Sequence, residues 1–410
     1  MDDRQDPAEG GLSDRKGPLV GVRVLEMGSL VAGPYATSLM ALLGATVIKV
    51  EPPGEGDPLR NWRHRLDGTS LWWLMQSRNK QCVTIDLKQA AGQGLARRLA
   101  AASDVVVENF KPGMLESWGL GWEELHAANP RLVMVRVSGF GQTGPYREKP
   151  GFGSIAEALG GLRHLTGYPD LPPVRTGISI GDSIAALYAT IGALAALREA
   201  ETAGGEGQVV DVALTEAVFS LLESTLPEFD IFGVIRERTG ATLPGIAVSN
   251  TYRCADGGYL VIAGNGDSIF KRLMNGIGRA DLADDPRLRT NADRVQHDRE
   301  IDGVLGEWAA KLTIEEALRV LDASKVPASK IYDIADIAAD PHFLERGMVQ
   351  EFPLGERTVK VPGIVPRLSA TPGEIGWLGP ALGEHNRQVF GDLLRMSDEE
   401  LGELAGAGVI

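Results

Sequence analysis

Residues 22–51 read VRVLEMGSLVAGPYATSLMALLGATVIKVE, and this stretch decides the fold. VRVLEMG is a short apolar run, the pattern of a strand buried on both faces. AGPYATSLMALLG follows with Pro34 near its start and Gly44 after its end, which are the marks of a helix. ATVIKVE is a second apolar run, stopped by Pro52-Pro53-Gly54. Strand, helix and strand in so short a span make a βαβ unit, so a parallel sheet flanked by helices is expected. The alternation continues through CVTIDL, KQAAGQGLARRLAAA, DVVVENF, WEELHAANP and RLVMVRVSGFG. The fold class is therefore α/β, with a Rossmann-like parallel sheet of at least five strands by residue 140. The first strand-to-helix turn, EMGSLVAGPYA, lacks the G-x-G-x-x-G fingerprint, so nicotinamide or flavin binding has no support.

Further along, GSIAEALGGLRHL and GDSIAALYATIGALAAL read as helices, and GEGQVVDVALTEAVFSLLES as a strand and a helix. The texture loosens near 225–245. NTYRCADGGYLVIAG is then a hairpin turning at DGG, followed by helical segments to about 325. MVQEFPLGERTVKVPG is a second hairpin, and NRQVFGDLLRM is expected to be the last helix. Residues 1–17, MDDRQDPAEGGLSDRKG, are polar and acidic, and are expected to be a disordered extension.

The 410 residues carry 41 Lys and Arg against 55 Asp and Glu, a net charge of −14. That balance argues against nucleic acid or an anionic membrane as a partner. No apolar run is read as long enough to span a bilayer. The start resembles neither a signal nor a transit peptide. Two distant cysteines, Cys82 and Cys254, give no disulfide framework and fit a cytoplasmic protein. The six histidines show no metal-ligand spacing, so no metal site and no permanently bound cofactor are expected.

One charge stands out. Asp182 heads an otherwise apolar helix, and the next basic residue is Arg198. An aspartate there is a good helix N-cap, its carboxylate accepting backbone N–H bonds. A carboxylate held where a loop meets a helix is also a candidate nucleophile for acyl transfer, with glycine N–H groups nearby to stabilise an oxyanion. The two readings are compatible.

Beyond these single residues, a series of motifs runs collinearly: GVRVLEMGSLVAGPYATSLMALLGATVIKVEPPGEGDPLRNW, RNKQCVTIDLK, VVVENFKPGMLESWGLGWEEL, RVSGFGQTGPY, GDSIAALYATIGALAALREAETAGGEGQVVDVAL and LGEHNRQVF. Together they resemble the class III CoA-transferases, over residues 18–410. The resemblance implies that Asp182 is the nucleophile and that acyl-CoA and a small carboxylic acid are the substrates. It places coenzyme A against Val31 and Ala32, against Ile85, Asp86, Leu87 and Lys88, against Asn109, Phe110 and Lys111, and near Lys149 and Phe152. Each has a plainer reading: solvated lysines for Lys88 and Lys111, a turn residue for Asn109, core packing for Phe110. The resemblance also implies an interlaced homodimer, and a large CoA-binding domain formed by residues 18–200 and a return segment 331–410. A linker at 201–244 and a smaller α+β domain at 245–330 lie between them.

The sequence departs from the formyl-CoA enzymes of that family. Val31, Pro52 and Ser117 stand where those have Gln, Arg and Arg, and GATLPGIAVSN replaces their glycine-run loop. The likeness is closer to members acting on larger dicarboxylates, such as succinyl-CoA:hydroxyacid transferases, and Arg175 offers a cation for a second carboxylate. An α-methylacyl-CoA racemase of the same superfamily needs a histidine where this chain has Phe152, which moves no proton. A lyase or dehydratase of the superfamily, or a CoA-binding protein without activity, are the other readings.

Overall fold

The computed structural model describes residues 16–410. Most of the expected N-terminal extension, residues 1–15, lies outside the described residues.

Six parallel strands form the main sheet: β1 (Arg23–Glu26), β2 (Thr46–Glu51), β3 (Lys80–Thr84), β4 (Val105–Glu108), β5 (Val133–Ser138) and β6 (Val209–Ala213). Their spatial order is β3-β2-β1-β4-β5-β6. The chain thus steps outward from β1 to β3, then returns to place β4 on the other side of β1. That reversal is the switch point where an open α/β sheet leaves a crevice at the carboxyl ends of its strands.

Val, Ile, Leu and Met dominate the strands because both faces are covered. One face packs against α1 (Ala32–Leu42) and α4 (Ile180–Ala200), sharing a core that includes Val24, Val47, Val135, Met40 and Ala189. The opposite face packs against α2 (Ala90–Ala101) and the C-terminal residues Val389 and Phe390. Two more helices matter below: α3 (Gly153–Leu159) and α5 (Leu214–Phe219).

Several expectations need correction. Helix α4 is 21 residues long and is apolar enough to cross a bilayer by length and composition, although no such run is read from the sequence. Its Ala185, Ala189, Ala193 and Ala196 are buried on the sheet, as a core helix requires. The strand read in GEGQVVDVAL, within the expected linker 201–244, belongs to the main sheet: it is β6, which pairs with β5 from Met134↔Val209 to Ser138↔Ala213. The expected last helix is a π-helical segment, Arg387–Leu393, and a further helix follows at Asp398–Gly406. Its start carries a capping box, Ser397 with Glu400, a signature present in the sequence.

The chain divides into two compact units. The first holds residues up to Leu162, then Thr176–Leu226 and Gln350–Ile410. The second holds Arg163–Arg175 and Pro227–Val349. Its core lies between a three-stranded antiparallel sheet and surrounding helices, with β7 (Ser249–Arg253) and β8 (Tyr259–Ala263) forming the expected hairpin. Arg294 is fully buried there and donates to the carbonyls of Ala247, Leu288, Arg289 and Asn265 and to Asp267. Such a set of acceptors is what makes a buried guanidinium tolerable.

Candidate active site

Asp182 lies at the carboxyl edge of the sheet. Helix α4 returns the chain from β5 to the parallel strand β6, so it must run against the strands. Its far end is fixed at the opposite edge, where Arg131 Nε donates to Ala200 O at 2.9 Å just ahead of β5. The helix begins at Ile180, so Asp182 is the third helical residue, not the N-cap; Ser179 holds that place, without a side-chain cap bond. A first-turn carboxylate still meets the positive end of the helix dipole.

The half-buried Asp182 carboxylate is set against the first residue of α3. A Cβ built on Gly153 would fall 2.6 Å from Asp182 Cγ and 2.9 Å from Oδ1, and closer still to Oδ2. Only glycine leaves room for the carboxylate there. Two further glycines bring the chain back to this point. Gly151 lies on Gly139, where a Cβ would be 3.1 Å from the Gly139 Cα, and Gly139 directly follows β5. The loop 139–153 therefore folds over the end of β5 and delivers α3 to Asp182. The sequence reading singled out Phe152 in this loop and missed Gly153; the recurring glycines of SGFG and KPGFG were the available signal. Phe152 itself is 66% exposed.

The turns expected to contact CoA gather at the same edge. Val31 and Ala32 open α1, directly after β1, and both are buried. Asn109, after β4, is their neighbour across the switch point: its Oδ1 accepts from Ser29 N and its Nδ2 donates to Ser29 O, both at 2.8 Å. Ile85, Asp86, Leu87 and Lys88 follow β3. The Asp86 carboxylate is engaged within its own turn, accepting from Gln89 Nε2 and Lys88 N, and these bonds lower its pKa. Ile85 is buried, and Leu87 and Phe110 pack on the core; Phe110 also meets Trp118 edge-on at 5.4 Å. For Ile85, Leu87 and Phe110 the side chain serves packing, and the N–H groups of Ile85 and Phe110 are already engaged, donating to Glu51 O at 2.9 Å and to the Glu108 carboxylate. Lys88, Lys111 and Lys149 are exposed, one on each of three successive turns, and Lys149 Nζ sits 3.5 Å over the Tyr146 ring.

Beneath these turns lies a charge network that the sequence reading did not find. Glu26, Glu51 and Glu108 each end a strand, and each is buried with a cation. Glu26 holds Lys49 and Lys80, both at 2.7 Å. Arg60 grips both oxygens of Glu51 at 2.7 Å. Glu108 accepts from Arg136 Nε at 2.8 Å and from Phe110 N at 2.7 Å, fixing that turn. Burial pushes the Glu26 carboxyl up, but Lys49 and Lys80 outweigh it and hold it at about 2. Burial also pushes both lysines down. Lys49 is nonetheless raised, because Asp57 and Glu51 add to Glu26; Lys80 has Glu26 opposed by Lys49 and ends lowered.

The sign of the Glu26 shift gives a test. Its folded value lies below the ordinary 4.5, so its charge stabilises the fold above that pH, and this is lost as pH falls towards 2. At about 1.4 kcal/mol per pH unit the contribution is roughly 3 kcal/mol. Chemical denaturation followed from pH 5 to pH 3 is expected to show a distinctly flatter loss of stability in Glu26→Gln than in wild type. Equal slopes would remove Glu26 from the acid response.

An open parallel sheet with turns at its switch point and a carboxylate set against α3 at the same edge is an α/β scaffold for an extended ligand. The comparisons with known proteins say which. Residues 19–386 match the model of CoA-transferase family III. The chain is 52% identical to a succinyl-CoA–D-citramalate CoA-transferase of Chloroflexus aurantiacus, over 96% of this chain and 98% of that one. It is 42% identical to the alpha subunit of a succinyl-CoA–L-malate CoA-transferase of the same organism, over 98% and 94%. Among solved structures, a CAIB/BAIF family protein from Brucella suis superimposes with a TM-score of 0.82 at 34% identity, over 92% of this chain and 100% of that one. The chain belongs to CoA-transferase family III and is a CoA-transferase.

Proposed function

We propose that the protein moves CoA from succinyl-CoA to a hydroxylated dicarboxylic acid of the citramalate or malate kind, with Asp182 as the nucleophile. The 52% identity to a succinyl-CoA–D-citramalate enzyme along nearly the whole chain carries the substrate reading. The fit of the Asp182 carboxylate against Gly153 supports its role.

In this mechanism an Asp182 oxygen attacks the succinyl thioester carbonyl. The C–S bond breaks, giving a succinyl-aspartyl anhydride and CoA thiolate. The thiolate attacks the aspartyl carbonyl, succinate leaves, and an aspartyl-CoA thioester remains. The acceptor carboxylate attacks that thioester, forming a second anhydride and freeing the thiolate again. Attack on the acceptor's acyl carbonyl then yields the new CoA thioester and restores Asp182. No proton is consumed, and one thioester replaces another, so no ATP is needed. Backbone N–H groups at the first turn of α3, whose first residue adjoins Asp182, would stabilise the oxyanion that develops on the attacked carbonyl.

Val31, Ala32, Asn109 and the turn 85–88 would line the CoA body. Lys88, Lys111 and Lys149 would meet its phosphates, as an acidic protein needs local cations to bind an anion. A second copy of the chain is part of the reading: Leu187, Tyr188 and Ile191 are exposed along one face of α4, an apolar stripe suited to burial in a homodimer. The free, buried Cys82 and Cys254 accord with a cytoplasmic setting.

The test is a panel assay. Succinyl-CoA is mixed with citramalate, malate, glutarate or oxalate, and CoA thioesters are read by mass spectrometry. A hydroxydicarboxylyl-CoA is expected to form at least about tenfold faster than oxalyl-CoA. Transfer only to oxalate, or release of free CoA without an acceptor, would overturn the reading.

A further inference from the structure

We infer that Asp57 and Lys49, on the foundation of Glu26, are positioning residues that hold residues 28–34 in the shape that receives CoA. This rests on the reading above that the turn touches CoA.

The turn is fixed along its backbone by buried side chains. Lys49 Nζ donates to Glu26 Oε1 at 2.7 Å and to Gly28 O at 3.0 Å, and pairs with the Asp57 carboxylate at 2.9 Å. Asp57 accepts from Leu30 N at 3.1 and 3.2 Å. Lys80 Nζ bridges Glu26 to Pro34 O, both at 2.7 Å, and Gln76 Nε2 donates to Val31 O at 2.8 Å. The side chains of Glu26, Lys49, Asp57 and Lys80 are at most 1% exposed.

At the centre of this grip Leu30 has φ of 65°. A leucine in left-handed backbone persists only where its surroundings impose it, and such strain collects at ligand sites. Here the imposing contact is the Asp57 carboxylate. Buried ion pairs are also a poor choice for stability alone, since well-packed apolar residues serve a core as well or better. Strain and an ionic clamp at one turn, directly before the first free N–H groups of α1, point to a surface set for a ligand.

The experiment uses full-length protein and reads the Kd of free CoA by calorimetry, KM for succinyl-CoA, KM for the acceptor, kcat and Tm. Wild type must bind CoA; if it does not, the site reading fails, whatever the variants do. Given that binding, Asp57→Asn is expected to raise Kd for CoA and KM for succinyl-CoA about tenfold. Acceptor KM is expected to stay within about twofold and kcat within about threefold. Leu30→Gly adopts the left-handed turn freely and so removes the need for the Asp57 contact. The double variant is expected to recover at least threefold of the affinity lost in Asp57→Asn. Leu30→Val leaves the clamp intact but resists positive φ, and is expected to weaken CoA binding about tenfold, which keeps the inference testable if Asp57→Asn does not fold. Wild-type CoA affinity in both Asp57→Asn and Leu30→Val would overturn it. So would an acceptor KM that rises in step with that of succinyl-CoA, or the absence of rescue by Leu30→Gly.

Discussion

Asp182→Asn is expected to fold normally and to turn over at least about a thousandfold more slowly than wild type. The two halves of that expectation have different origins. Asparagine matches aspartate in size, so it fits against Gly153. It loses the interaction of a first-turn charge with the helix dipole, which is worth about 1 kcal/mol or less. Tm should therefore fall by only a few degrees. Chemistry is another matter, because an amide cannot become an acyl-aspartyl anhydride and return as a carboxylate. Removing a nucleophile from an enzyme that forms covalent intermediates costs orders of magnitude in kcat. A direct trap separates nucleophile from bystander. Wild type incubated with succinyl-CoA and then hydroxylamine should carry a hydroxamate within the peptide containing GISIGDSIAAL, because an anhydride or aspartyl-CoA thioester is open to that attack. Near-normal turnover of the asparagine variant, or an adduct confined to another carboxylate, would reject Asp182 as nucleophile while leaving the family assignment intact.

The central fold was legible because a parallel sheet imposes a local pattern. Strands covered on both faces must be apolar, and their crossover helices must begin and end with recognisable residues, as α1 does between Pro34 and Gly44. Strand β6 pairs only with β5, some seventy residues earlier, so nothing local marked it as part of the main sheet. Asp182 could be singled out because a lone charge in an apolar helix is a local anomaly. Gly153 carried only the weaker mark of recurring glycines in KPGFG, since its importance lies in a contact made across the intervening chain between α3 and α4. The Glu26 network was hidden for the same reason. Glu26 and Lys49 look like single polar residues in apolar strands and Lys80 like part of the polar run RNKQ, and only strand order brings them together. For Phe110 the plainer reading of core packing describes the side chain well, since it lies against Trp118.

Gly153→Ala is the sharpest test of the arrangement around Asp182, because local and long-range physics predict opposite results. Considered as a helical residue, alanine is better than glycine by up to about 1 kcal/mol, so α3 alone would gain stability. Gly94, in α2, is the control: a Cβ there meets nothing within 4 Å, and Gly94→Ala is expected to be neutral or mildly stabilising with unchanged activity. At Gly153 the added Cβ falls within the Asp182 carboxylate, 2.6 Å from Cγ. Either the carboxylate turns away from α3 or the start of α3 moves back. Both displace the carboxylate proposed as nucleophile, and a misplacement near 1 Å costs on the order of a hundredfold in rate. The expected result is a kcat at least about a hundredfold below wild type, with CoA affinity within a few-fold, because the turns at Val31 and Asn109 lie on other elements. Stopped-flow assays at saturating succinyl-CoA, with CoA titrations on the same preparations, measure both quantities. An alanine variant with wild-type kcat would mean that the carboxylate works in a position other than the one Gly153 makes room for. A variant whose CoA binding and turnover collapse together would mean that α3 shapes the CoA site rather than the nucleophile.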